Sequence, residues 1–137
     1  MTAVPIPRYS VEQYLALDRS GDQKFDYYDG EMFPVAAASV EHGRIAAKLA
    51  RRLDERLDGT SCATIAGSVR VRVLPTKFVY PDVLVVCGEP ALTDGHADTL
   101  TDGDWLSKSY KGPDAEVRIE SPGISIPLSE IYLGILP

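Results

Sequence analysis

The stretch from Val40 to Leu57 constrains the fold of this chain more than any other. Ile45, Leu49, Leu53 and Leu57 recur every fourth residue, supported by Ala46 and Ala50, which is the period of a helix with one apolar stripe. Ser39 can accept hydrogen bonds from the first-turn amides, and Glu41 suits the positive helix start. Gly59 supplies the stop. The spacing therefore predicts a helix over 40–57, and Arg44, Lys48, Arg51, Arg52 and Arg56 make its opposite face basic.

Shorter signals flank this helix. Ser10 and Gln13 are spaced as a capping box, so Ser10-Val-Glu-Gln-Tyr-Leu-Ala-Leu reads as a short helix that Gly21 ends. Val11, Tyr14, Leu15 and Leu17 form its expected packed face. Asp29-Gly30 is a strong hairpin turn, because both residues tolerate positive φ. It predicts antiparallel strands over Lys24–Tyr28 and Glu31–Val35, with Pro34 marking an edge or a bulge. A strand is expected over Ala63–Val73, half-exposed where Val69-Arg-Val-Arg-Val alternates. Asp82–Cys87 is a nearly continuous apolar run, as in a strand buried on both faces. From Gly88 to Asp104 the chain is turn-rich and acidic. Trp105–Lys111, Ala115–Glu120 and Ile124–Pro127 then read as short strands, and Ser129-Glu-Ile-Tyr-Leu as a terminal helical turn.

Whole-chain properties narrow the class. A length of 137 residues fits one domain with a single core. No apolar run approaches the roughly 20 residues a membrane span needs, and MTAVPIPRYS lacks the basic and apolar regions of an export signal. The cytoplasm is the expected compartment. Cys62 and Cys87 lie far apart in sequence, outside any C-x-x-C spacing, so reduced, buried thiols are expected rather than a disulfide or a metal site. The net charge of −6 counts against a protein that coats nucleic acid. It leaves room for a nuclease, whose metal-binding acids add negative charge.

The chemistry concentrates at Pro81-Asp82, at the head of the apolar strand. A carboxylate on the end of a rigid element can face a cleft, and metal-assisted phosphodiester hydrolysis needs such an acid to hold Mg²⁺. It also needs a second carboxylate and a lysine near the attacking water. Taken alone, Pro-Asp before a strand reads first as a turn residue or strand-end cap.

Order along the chain adds to this. Tyr14-Leu-Ala-Leu, Tyr28-Asp-Gly-Glu-Met, Ser39-Val-Glu-His-Gly-Arg-Ile, Val69-Arg-Val and Pro81-Asp-Val-Leu-Val-Val follow one another as in the Uma2 family, which the chain resembles. That family belongs to the PD-(D/E)XK nuclease superfamily. The tail from Ala115-Glu-Val-Arg-Ile-Glu-Ser to Ile126-Pro-Leu-Ser-Glu-Ile-Tyr resembles the family's ending. The resemblance implies an α/β (α+β) restriction-endonuclease-like core, with a mixed sheet flanked by helices. It also implies a Mg²⁺-dependent endonuclease that cleaves DNA. Asp82 matches the family's metal-binding Pro-Asp carboxylate. Asp26 falls near the acidic position before the hairpin turn, and His42 matches the histidine that opens the long helix. A backbone-bonded helix-start residue is the plainer reading of His42, and a solvated loop residue that of His96. The arginine face of the long helix, with Arg70 and Arg72, is the candidate DNA surface; a solvated helix face is the alternative.

The chain departs from the family after Pro-Asp. A strand carrying Glu and a helix carrying Lys should follow, but Thr99-Leu-Thr runs straight into Asp102-Gly-Asp-Trp. A segment between Thr99 and Asp104 is therefore missing by comparison, and the core is expected to be truncated internally. Glu116-Val-Arg118 mimics the Glu-x-Lys spacing on one strand face. Arginine stays protonated, however, and does not replace lysine cleanly. A strand stripped of its neighbour exposes an apolar edge, which a rearranged fold or a homodimer would cover. Two functions follow as expectations, an endonuclease or a degenerate, non-catalytic binding or dimerisation module of the same fold.

Overall fold

A computed structural model describes residues 2–89, 92–93, 96–97, 108–120 and 122–135. The described elements form an α+β arrangement of largely antiparallel sheets with packed helices. They cluster into two compact units, one comprising Met1–Ala37, Ser68–Pro81 and Ala91–Asp102, the other Ala38–Gly67, Asp82–Pro90 and Gly103–Pro137.

The first unit opens with helix α1, Val11–Ser20, which carries both bonds of the capping box and ends at Gly21. Strands β1, Phe25–Tyr28, and β2, Glu31–Pro34, form the expected hairpin. Asp29 and Gly30 turn it at φ values of 46° and 103°, the positive pair that a tight hairpin turn requires. Strands β4, Val71–Leu74, and β5, Lys77–Val79, add a second hairpin. With β7, Leu92–Thr93, and β8, His96–Ala97, they complete a six-stranded sheet in the order β2-β1-β5-β4-β8-β7. The sheet is mixed, because β4 and β8 run parallel. Pro34 lies on its edge strand, where a missing N–H costs no ladder bond. Tyr14, Tyr27 and Phe78 form the buried core, and Tyr14 stacks on Tyr27 with ring centroids 4.8 Å apart. The expected helix face holds at Val11, Tyr14 and Leu15, but Leu17 is exposed and Asp18 is buried in its place.

The second unit is organised by α2, Val40–Leu57, with Ser39 as N-cap accepting from the His42 amide. Its apolar stripe covers two small antiparallel sheets. One pairs β3, Cys62–Ala66, with β6, Val83–Cys87. The other pairs β9, Glu116–Ile119, with β10, Ile124–Pro127. Helix α3, Leu128–Tyr132, follows directly. Leu53, Leu57, Ile126 and Ile131 are its buried centre, with Val83 and Val85 of β6 packed against them.

Several expectations change. The strand expected over Ala63–Val73 is two strands, broken where Gly67 adopts φ 113°. The expected mixed sheet is present with six strands, and among the described residues there are two further, separate two-stranded sheets. Residues 83–86 of β6 are half-buried rather than buried on both faces, and Arg70 is buried rather than half-exposed. The cysteines form a disulfide, Cys62–Cys87. The antiparallel register sets them directly opposite each other, which a separation of 25 residues does not reveal. Residues 108–111 form no strand, and the remainder of the Trp105–Lys111 expectation lies outside the described residues. So does the junction between Thr99 and Asp104. Among the described residues, no helix is long and apolar enough to cross a membrane.

Candidate functional site

Asp82 occupies the residue before β6, and His42 sits in the first turn of α2. The helix lies over the β3–β6 sheet, so its N-terminal turn reaches the head of the strand. His42 Nε2 stands 2.9 Å from Asp82 Oδ1, and the two side chains remain 48% and 65% exposed. The imidazole N–H therefore donates to one carboxylate oxygen and fixes its orientation. At this exposure the pair contributes no more than about 1 kcal/mol to stability. Ile45, Ala46, Leu49 and Val83 complete a recess of about 260 Å³ beside the pair. Two polar groups thus project from an apolar wall, with no lysine among the lining residues.

Asp26 belongs to the first unit. Its Oδ1 accepts the Tyr80 amide at 2.9 Å, which ties β1 to the end of the β5 segment. Burial raises its pKa, and the amide hydrogen bond partly opposes that shift. The structure thus joins His42 to Asp82, while Asp26 has its own partner.

Mg²⁺ is a hard cation, held commonly by one or two carboxylates while water and substrate phosphate complete its octahedron. Among the described residues, no group of three His, Cys, Asp or Glu side chains stands close enough to hold a metal ion. Asp82 supplies one exposed carboxylate with an imidazole on one oxygen. That donor set fits a cation arriving with a phosphate ligand better than a resident ion. Glu116 and Arg118 share a face of β9, but they pair with each other at 3.6 Å in the separate β9–β10 sheet.

The expected DNA surface is largely engaged within the chain. Arg44 donates to the Gly134 carbonyl and Lys48 to the Leu133 carbonyl. Arg51 and Arg52 hold Glu55, while Arg52 and Arg56 hold Glu130. The helix cations thus face oxygen atoms of their own unit. Arg72 donates to the Pro75 carbonyl and lies over the Phe78 ring.

The residue that sequence reasoning missed is Asp18. It is fully buried, and its carboxylate takes hydrogen bonds from Arg70 Nη1 at 2.8 Å, the Tyr80 hydroxyl and the Phe25 amide. Burial drives the Tyr80 pKa upward, reinforced by the hydrogen bond to Asp18. Burial likewise raises Tyr14, with the Asp18 charge adding to it. His96 was expected in solvent. It is half-buried instead, its Nδ1 accepting the Arg70 amide at 2.8 Å and its ring edge-on to Tyr80. The one available signal was an aspartate on the packed side of α1, four residues after Tyr14.

The described helices pack on sheets, and Asp82 stands at the head of an apolar strand, an arrangement consistent with a restriction-endonuclease-like fold. The chain belongs to the Uma2 family, whose model, described as "Putative restriction endonuclease", matches residues 11–122. It is similar to two proteins of Synechocystis. Uncharacterized protein slr1290 is 28% identical over 86 residues, covering 62% of this chain and 45% of that protein. Uncharacterized protein sll1609 is 28% identical over 97 residues, covering 70% and 55% respectively. The chain thus spans about half the length of these relatives. No solved structure matches it.

Proposed function

We propose that this chain is an endonuclease that hydrolyses DNA phosphodiester bonds with Mg²⁺, using Asp82 as its cation-binding carboxylate. The observation that carries this reading is the His42–Asp82 pair, exposed at the strand head beside a recess. A carboxylate with only solvent-screened structural value, held in one orientation by an imidazole, is better suited to binding than to folding. Bound there, Mg²⁺ would polarise a phosphoryl oxygen and acidify the attacking water. Asp82 would present its free oxygen to the cation, and His42 would act as a positioning residue through its Nε2–H. Asp26 is a further candidate acid, being half-buried and oriented by the Tyr80 amide.

The reading is tested by incubating supercoiled, linear and single-stranded DNA with the protein and Mg²⁺ or Mn²⁺. Cleavage that Asp82→Ala abolishes, and His42→Ala weakens, supports it. Failure of the wild-type protein on every DNA form counts against it.

A second reading, a non-catalytic binding or dimerisation module, draws on a different observation. Among the described residues β6 has β3 as its sole strand neighbour, and no three metal-ligating groups meet. Calorimetric Mg²⁺ titration, run with and without a DNA oligonucleotide, separates the readings, because a site lost with Asp82→Ala is expected only of the enzyme.

A further inference from the structure

We propose that Cys62 and Cys87 are a redox-reversible site, opened by dithiols and closed by disulfide oxidants, that sets how firmly β6 is held. The proposal does not depend on the nuclease reading.

The geometry begins with register. Cys62 faces Cys87 at one end of a five-pair ladder, and the Gly88 amide donates to the Ser61 carbonyl at 2.9 Å just beyond it. That bond marks the cysteines as a non-hydrogen-bonded pair, where facing side chains approach most closely. Ladder pairing alone therefore brings the sulfurs together, whether oxidised or reduced.

Access is asymmetric. Cys62 is half-buried and packs against the apolar cluster under α2, whereas Cys87 is exposed at the strand end. A thiolate approaching from solvent meets the Cys87 sulfur first. Attack forms a mixed disulfide on Cys87, and Cys62 leaves as a thiolate and takes a proton. The second thiol of the dithiol then displaces Cys87, also as a thiol. Two electrons and two protons pass from the dithiol to the protein, and the dithiol leaves as its own disulfide. Oxidised glutathione reverses the exchange, releasing two glutathione thiols.

The consequence falls on β6. Its described strand neighbour is β3 alone, so the disulfide is the covalent rung of its one ladder. The opposite end of that ladder is the Ala66–Val83 pair, adjacent to Asp82. Opening the bond leaves register and apolar packing in place but frees the C-terminal end of the strand.

The test holds wild-type protein in dithiothreitol buffers of graded dithiol-to-disulfide ratio, without denaturant. Free thiols are trapped with iodoacetamide and counted by mass. Two alkylations are expected at the reducing end and none at the oxidising end. The reduced form should melt lower by roughly 5–10 °C and exchange amide hydrogens faster over 83–87. Cys87→Ser should melt with the reduced protein and ignore the buffer. Should that variant fold poorly, the wild-type thiol count still decides. Three results overturn the proposal. The bond opens only after denaturant is added, the thiols stay free at every ratio, or the melting temperature stays constant while the thiol count changes.

Discussion

Asp18 and Asp82 each sit beside a nitrogen-bearing side chain, and their surroundings differ sharply. Asp18 is sealed in the first unit, its Arg70 contact only 4% and 1% exposed at the two side chains. Its oxygens are taken up by Arg70, Tyr80 and the Phe25 amide. Asp82 in the second unit has His42 as its one partner among the described residues, and most of its surface is open. A buried ion pair becomes costly when either partner is lost, because the survivor is an uncompensated charge. An exposed pair can be removed at little cost and is free to meet a ligand. Burial and the number of partners, rather than residue type, separate the structural acid from the one proposed to bind a ligand.

The comparison is easiest to break at Asp18. Asp18→Ala or Arg70→Ala should lower unfolding free energy by about 3–5 kcal/mol, read from urea denaturation. A loss near that expected of Asp82→Ala would remove the distinction. Alkaline titration tests the same cluster. Tyr14 and Tyr80 have pKa values raised by burial, while unfolded tyrosine ionises near pH ~10. Their contribution is therefore full below that pH and is lost as pH rises above it. Tyrosinate absorbance and loss of circular dichroism should appear together in the wild type, whereas Tyr80→Phe should unfold at higher pH. Early ionisation without unfolding would mean that the tyrosines are not sealed.

The smallest effect belongs to Asp26. Its raised pKa, caused by burial, means that the charged form is disfavoured in the folded state, so its relative stability is greatest at low pH and declines as the group ionises. Asp26→Asn keeps an acceptor for the Tyr80 amide without the charge. It should gain under about 1 kcal/mol at neutral pH, with the gain shrinking on acidification. Thermal melts across pH check the sign.

What the sequence revealed follows the range of the interactions. The bounds of α2 and the capping box of α1 were legible because helical period and cap chemistry act within a few residues. The Asp29-Gly30 turn was legible because its positive φ values restrict residue choice locally. The Asp18–Arg70–Tyr80 cluster was not, since its partners lie 52 and 62 residues away. Alternation placed Arg70 on a solvent face, because it reports a face and not what covers it. The disulfide escaped for a similar reason, as its pairing is a property of the β3–β6 register. At the candidate site, Pro81-Asp82 and His42 were each visible, but their 2.9 Å contact required the helix to be laid over the strand.

The central claim is that Asp82 serves ligand chemistry rather than folding, and one paired measurement addresses it. Wild-type and Asp82→Ala proteins are compared for Mg²⁺-dependent DNA cleavage and for unfolding free energy in the same buffer. The account predicts that cleavage disappears while stability changes by no more than about 1 kcal/mol. An Asp82→Ala protein that cleaves as well as the wild type, or that loses several times that stability, would contradict it.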